Sequence, residues 1–303
     1  MSKEDRIAVI GSSNTDMVVL TQRFPSPGET ILGGEFFKNA GGKGANQAVA
    51  AARLGGNVSF IGKVGEDLFG EEAVQNIKKE GVDVSSVFVD DETASGIAQI
   101  LVNEQGENCI VVAPGANMKL GNQDLDRAGK QLEEAGLVLM QLEIPLETIK
   151  YAAEKLHLTG KKVILNPAPA VELPKELYRS LYMITPNETE TEILTGIRVT
   201  DEASAEKAGE IFRDRGVDIV IITMGAKGAW LHSEDYRQLV PAPTVEAVDT
   251  TAAGDCFNGA LAVGLSEGMK LDEAVGFANR AAAITVTGKG AQNSLPMRKK
   301  LDL

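Results

Sequence analysis

Short, unbroken apolar runs recur along this chain, each followed by a stretch with helical spacing. That rhythm constrains the fold more than any other feature. Residues 6–11, 58–62, 137–142, 162–166, 182–185 and 218–223 read as buried strands. Between them, Ala45, Ala48, Val49 and Ala52 share one helical face, and Phe257, Leu261, Gly264 and Leu265 share another. A third face carries Leu271, Ala274, Val275, Ala278 and Thr285. Strands that are apolar on both faces need cover on both, which predicts an α/β fold with a mostly parallel central sheet between helical layers.

Two stretches break the rhythm. Residues 30–37 and 96–112 read as β without intervening helices, the second as a hairpin turning at Glu104-Gln105-Gly106-Glu107. With Met17 to Leu20 they predict a small accessory sheet standing off the main one. No repeat or Pro/Ser/Gly-rich linker appears, so residues 1–303 read as one domain with insertions at about 14–40 and 94–113.

Composition narrows the partners. There are 43 acidic against 30 basic residues, a net charge of −13. A nucleic-acid or anionic membrane surface demands a basic footprint, so both are excluded; a phosphorylated small ligand is not. Cys109 and Cys256 lie far apart, without disulfide-framework or zinc-knuckle spacing. The N-terminal apolar run is too short for a signal-peptide core, and every longer apolar stretch is interrupted by a charge such as Glu143, Asp255 or Arg280. The expectation is a soluble, cytoplasmic protein. The Walker, dinucleotide and nucleophile-elbow motifs are all missing, and His157 and His232 stand alone, as surface or structural histidines do.

Three segments carry chemistry. Gly41-Gly42-Lys43-Gly44-Ala45-Asn46 opens a helical face, where glycines allow close approach and free N–H groups favour oxygen ligands. Alone it equally suits a flexible loop. Small residues at 250–254 lead into another helix, so three or four unpaired N–H groups around Gly254 offer an anion hole. Asp255 beside them is either a helix-capping carboxylate or a base positioned to deprotonate an alcohol during phosphoryl transfer. Asn14 and Asp16 alternate after the first strand, suited to vicinal hydroxyls, and Glu143 ends another strand at the same edge. Asn187-Glu188-Thr189-Glu190 follows a further strand and suits either a helix cap or a hydrated magnesium ion.

In this order, Asn14-x-Asp16, P-x-P-G-E-T at 25–30, G-G-K-G-A-N-Q-A at 41–48, L-N-P-A-P-A at 165–170, T-P-N-E-T-E at 185–190 and D-T-T-A-A-G-D at 249–255 resemble the ribokinase-like family of carbohydrate kinases. M-Q-L-E-I-P-L-E at 140–147 is similar to its ribose-specific members rather than to fructokinases or nucleoside kinases. The resemblance implies transfer of the ATP γ-phosphate to the 5-hydroxyl of D-ribose. It makes Asp255 the base, with the backbone of Ala252, Ala253 and Gly254 as anion hole. It places the sugar on Asn14, Asp16, Gly42, Lys43, Asn46, Glu143 and Asp255. It places ATP along Asn187, Thr223, Gly225, Ala226, Lys227, Gly228, Gly254 and Asn279, with Glu190 holding Mg2+ through water. It assigns an activating K+ to Asp249, Thr251, Thr285, Gly288, Gly290 and Ser294, and makes the accessory sheet a lid through which homodimers pair.

Cys256 departs from the family, which more often has Thr or Ser after the base. A thiol in the first turn of a helix favours the thiolate, so the position reads either as a target of oxidants and alkylating agents or as a buried inert thiol. Two other functions compete with ribose phosphorylation: a kinase for another furanose or a nucleoside (deoxyribose, fructose, adenosine), and a catalytically silent sugar-binding module.

Overall fold

The computed structural model describes residues 5–301, and Met1 to Glu4 of the N-terminal reading lie outside them. Nine strands build the main sheet: β1 (Arg6–Ile10), β4 (Asn57–Gly65), β5 (Asp83–Asp90), β8 (Leu137–Met140), β9 (Lys162–Leu165), β10 (Met183–Ile184), β11 (Ile219–Thr223), β12 (Ala229–His232) and β13 (Arg237–Val240). Their order is β13-β12-β11-β10-β9-β8-β1-β4-β5. Neighbours run parallel from β5 to β11, and the β11–β12–β13 edge is antiparallel. The chain leaves β1 toward β4 and β5, then returns to β8 on the other side. That reversal opens a crevice beyond the carboxyl ends of β1 and β8, where ligands of open α/β sheets sit.

Alternation along each strand feeds two cores. Ile7, Val9, Leu137, Leu139 and Ile164 pack against the helices Lys43–Arg53, Ala253–Ser266 and Leu271–Thr285. Ala8, Ile10, Val138, Met140 and Leu165 face the opposite way, onto Leu146–Leu158 and Glu202–Asp214. Both faces are covered, which explains why these strands carry no polar alternation. Gly259 lets the helix Ala253–Ser266 cross closely over Lys43–Arg53, since a Cβ there would lie 2.7 Å from the Gln47 carbonyl. Among the described residues no helix is long and apolar enough to cross a membrane.

A second, four-stranded sheet has the order β3-β2-β6-β7, from β2 (Asn14–Leu20), β3 (Phe36–Gly41), β6 (Gly96–Val102) and β7 (Asn108–Ala113). The hairpin is present, with Gly106 at φ 79° in its turn. The strand expected over 30–37 is displaced: pairing begins at Phe36 opposite Val19 and continues to Gly41 opposite Asn14. Before Phe36 the backbone makes two last bonds to Leu20 and then has no strand beside it; Leu32 is 98% exposed. Strands β5, β12 and β13 join the sheet beyond those read from sequence.

Candidate active site

The chain passes from β3 into the helix Lys43–Arg53 through Gly42, at φ 88°. A Cβ at Gly42 would lie 2.7 Å from the Asn14 nitrogen and the Ser13 Cα, so this junction needs glycine for both conformation and space. It seats the start of the helix against the end of β1. Glu143, just past β8, locks the contact: its Oε2 accepts from Ser12 Oγ at 2.5 Å and from the Lys43 N–H at 3.0 Å.

The helix Ala253–Ser266 meets this start from the other side. Asp255 is 7% exposed, its Oδ2 accepting from Asn46 Nδ2 at 2.9 Å and its Oδ1 from Gln47 Nε2 at 3.0 Å. The helix begins after Ala252, whose φ of 60° makes it the described non-glycine residue in the left-handed region. Of the N–H groups expected to be open here, Ala253 is already turned to the Thr250 carbonyl at 3.2 Å and Cys256 to Ala252 at 2.8 Å. Three of the expected three or four donors around Gly254 stay open, with Asp255 in place of Ala253. Ala252, Gly254 and Asp255 N–H groups have no acceptor among the described residues and remain for an anion.

These groups line a cavity of about 200 Å³ that also takes in Asn166, Thr185, Asn187, Glu190, Thr223 and Asn258. Asn187 and Glu190 form a reciprocal cap: Asn187 Oδ1 accepts from Glu190 N at 2.8 Å, and Glu190 Oε2 from Asn187 N at 2.9 Å. The cap reading of this segment therefore holds, and Glu190 lines the cavity as well. Gly225–Lys227 is a tight turn directly after β11, with Gly228 at φ 112° pressed against the Val240 carbonyl and Lys227 Nζ donating to the Thr200 carbonyl. Ala226 lies within the turn. Asn279 sits behind it, its amide donated to the Val240 carbonyl at 2.9 Å.

Charge is concentrated here. Burial works against a charged Lys43, but the Asp255, Glu143 and Glu190 carboxylates outweigh it and hold its pKa above the ordinary lysine value. Burial pushes Asp255 up, opposed by Lys43 and by the Asn46 and Gln47 donors. Glu190 is also raised by burial, against the Asn187 N–H and Lys43. Asp16 is raised to about 6 by burial, then by Glu143 and Asp255. Asn14, also buried, has its Oδ1 occupied by Asn117 Nδ2 at 2.8 Å.

A second cluster lies at the end of the helix Leu271–Thr285. Asp249 Oδ2 accepts from Gly290 N at 2.8 Å, and its Oδ1 from Thr251 N and Oγ1 at 2.9 and 2.6 Å. Gly288 N reaches the Thr285 carbonyl, and a Cβ on Gly288 would lie 3.0 Å from that of Ser294. All six residues expected around a monovalent cation therefore fall in one loop cluster. One carboxylate with hydroxyl and carbonyl oxygens is the hard donor set such an ion takes. Among the described residues no three His, Cys, Asp or Glu side chains are placed to hold a metal ion.

Cys256 takes the second of its two readings, the buried inert thiol. It is fully buried, and burial pushes its thiol up to about 12, so the helix start does not yield a thiolate. Sequence reading missed the polar residues behind the base: Gln47, Gln141, Asn166, Thr185 and Asn258. The visible signal was Gln141, a polar residue inside an otherwise apolar strand end.

A model of the pfkB family carbohydrate kinases matches residues 4–298. The chain is 45% identical to the ribokinase of Haemophilus influenzae, over 97% of this chain and 96% of that protein. It is 41% identical to a Salmonella typhi deoxyribokinase, over 96% and 95%. Its fold superposes on the structure of Arabidopsis thaliana ribokinase complexed with ribose and ATP with a TM-score of 0.91, at 34% identity over 99% of this chain and 98% of that one. This chain belongs to the pfkB family of carbohydrate kinases.

Proposed function

We propose that the chain transfers the γ-phosphoryl group of ATP to the 5-hydroxyl of D-ribose. The observation that carries this reading is a buried carboxylate, Asp255, placed beside open helix-start N–H groups and opposite Lys43 in one cavity. Ribose lies on the side of Asn14, Asp16, Gly42, Asn46 and Glu143. ATP approaches from Asn187, Thr223, the turn at Gly225 to Gly228, and Asn279. Asp255 takes the proton of the 5-hydroxyl as that oxygen bonds to the γ-phosphorus and the bond to the ADP oxygen breaks. The N–H groups of Gly254 and Asp255, supported by Ala252, face the charge that develops on the transferring group, and Lys43 adds a fixed cation. Ala253 contributes by holding the turn closed.

Magnesium bound with ATP supplies charge neutralisation among the phosphates, and Glu190 is the carboxylate suited to hold it through water. Potassium suits the cluster of Asp249, Thr251, Thr285, Gly288, Gly290 and Ser294. Thr251 of that cluster immediately precedes Ala252, the first of the open N–H groups, so an ion there steadies the anion hole. The second sheet is the lid over the sugar and the surface through which two copies pair. Its edge strand β7 is exposed along its whole length and carries Ile110, Val111 and Val112, an apolar edge that needs cover. The compartment is the cytoplasm, where ATP is held and where free thiols such as Cys109 persist.

The experiment is a phosphorylation panel with Mg·ATP on ribose, 2-deoxyribose, fructose and adenosine, together with Asp255→Ala. Ribose is expected to be turned over best, and Asp255→Ala to lose about 10²–10⁴-fold in kcat with ATP binding retained. Faster turnover of another acceptor overturns the ribose assignment. Near-normal turnover by Asp255→Ala overturns the base.

A further inference from the structure

We infer that Gln47 is a positioning residue for Asp255, and that Gln141 sets the direction in which the Gln47 amide faces. The inference rests on Asp255 being the base. Gln47 is fully buried and does not line the cavity. Its Nε2 donates one hydrogen to Asp255 Oδ1 and the other to Asn166 Oδ1, both at 3.0 Å. Its Oε1 accepts from Gln141 Nε2 at 2.6 Å. Asn166 gives its own Nδ2 to the Thr185 carbonyl, which turns its oxygen toward Gln47. Each amide is therefore oriented by the next: the donors run from Gln141 through Gln47 to the carboxylate, and Asn166 fixes the second Gln47 hydrogen from the side.

Turning the Gln47 amide over would set its oxygen against Asp255 and against Asn166 Oδ1, and its NH2 against that of Gln141. The row has one polarity. It also has a cost. Gln141 is fully buried, and its Oε1 has no partner. It lies where a Cβ on Gly11 would be 2.1 Å away, in space that only glycine leaves open. An unpartnered buried amide oxygen disfavours folding, and an apolar side chain like the neighbouring Met140 or Leu142 would avoid it. The donor to Gln47 is what Gln141 supplies in return.

The effect on Asp255 is geometric and electrostatic. Gln47 occupies one lone pair of Oδ1 and Asn46 one of Oδ2, so the carboxylate plane is fixed with its remaining lone pairs free for a hydroxyl. The charged groups facing it are Lys43 at the helix start, Glu143 past β8, Glu190 in the helix Glu188–Thr195, and Asp16 in β2. Of these only Lys43 favours the ionised form. The two amide donors assist it without adding charge.

The test is steady-state kinetics with ribose and ATP across pH, on Gln47→Met, Gln141→Met and the double variant. Gln47→Met is expected to lower kcat by about 10- to 100-fold, the loss of one hydrogen bond to a charged group. Its KM for ATP stays near wild type, and the acid limb of its kcat/KM profile moves to higher pH. Gln141→Met leaves both Asp255 contacts in place and gives a smaller loss in the same direction. The double variant is no worse than Gln47→Met, because Gln141 acts only through Gln47. Wild-type kcat and an unmoved acid limb in Gln47→Met overturn the inference, as does a further loss in the double variant. If Gln47→Met does not fold, an unmoved kcat and acid limb in Gln141→Met overturn it. Full turnover by Asp255→Ala would instead refute the base, so the two failures are told apart.

Discussion

Replacing Asp16 with Asn removes a charge that the fold holds at a cost. The Asp16 carboxylate sits against Gly41, where a Cβ would lie 2.4 Å from its Oδ1, and it faces Glu143 and Asp255. Burial and those two carboxylates raise its pKa from 3.8 to about 6. At about 1.4 kcal/mol for each tenfold change in proton affinity, that is at most roughly 3 kcal/mol against the ionised form. Partial exposure of the side chain brings a realistic value to about 1–2 kcal/mol. The sign follows from linkage. Between about pH 4 and pH 6 the folded state keeps a proton that the unfolded chain has lost, so stability falls as pH rises through that window.

Asp16→Asn does not titrate there. In sugar-free thermal denaturation the two proteins should coincide near pH 4. Above about pH 6.5 the variant should melt higher by about 1.5–3 °C, a shift expected for a chain of this size. Calorimetric titration with ribose should show the opposite ranking, with the variant binding about 10-fold or more weakly, since on the proposed placement of the sugar this carboxylate accepts from its hydroxyls. A variant that melts lower at neutral pH, or a gap independent of pH, would refute the reasoning.

Other perturbations test neighbouring parts of the molecule. In the native protein a maleimide should label Cys109 and spare Cys256, so Cys109→Ser should be unreactive until denatured; mass spectrometry reads this directly. Gly11→Ala drives a methyl into the Gln141 amide and the Gly44 Cα, and should cost several-fold in kcat together with a lower melting temperature. Arg53 forks onto Glu80 at 2.8 and 2.6 Å and donates to the Gln292 and Leu295 carbonyls. Arg53→Met should therefore destabilise by about 1–3 kcal/mol in urea unfolding. Exchange of potassium for sodium should lower ribose turnover, and Asp249→Asn should abolish that difference. If two copies pair through β7 as proposed, Val111→Lys should shift the protein toward monomer in sedimentation, and an unchanged sedimentation coefficient would refute that pairing.

The parts of the fold legible in sequence are those where burial alone dictates the residue. Strands β1, β8 and β9 read as apolar runs because helices cover both their faces. Strand β5 escaped because its half-covered position at the sheet edge tolerates Asp83, Ser85 and Ser86. Strand β13 escaped because its edge position leaves Arg237 and Gln238 exposed, and β12 because Ala229 to His232 holds no β-branched residue. Residues 30–33 look β-like in isolation and lack a neighbouring strand, which is a matter of topology rather than composition. At the site, glycines and carboxylates announced themselves by chemistry at helix starts. Gln47 and Asn166 did not, because an amide's role depends on what lies 3 Å away in space, and Asp255 is more than 200 positions from Gln47 in the chain.

The Gly42 junction has a mechanical consequence. Strand β3 and the helix carrying Lys43, Asn46 and Gln47 are one continuous piece of backbone, joined at a single residue wedged between Ser13 and Asn14. On the proposed reading of the second sheet as a lid over the sugar, cover and cradle would be two arms of one lever. An acceptor with a bulky substituent that lifted β3 would tilt the same helix start away from Asp255, so misfit at the lid should be felt as slow chemistry as well as weak binding.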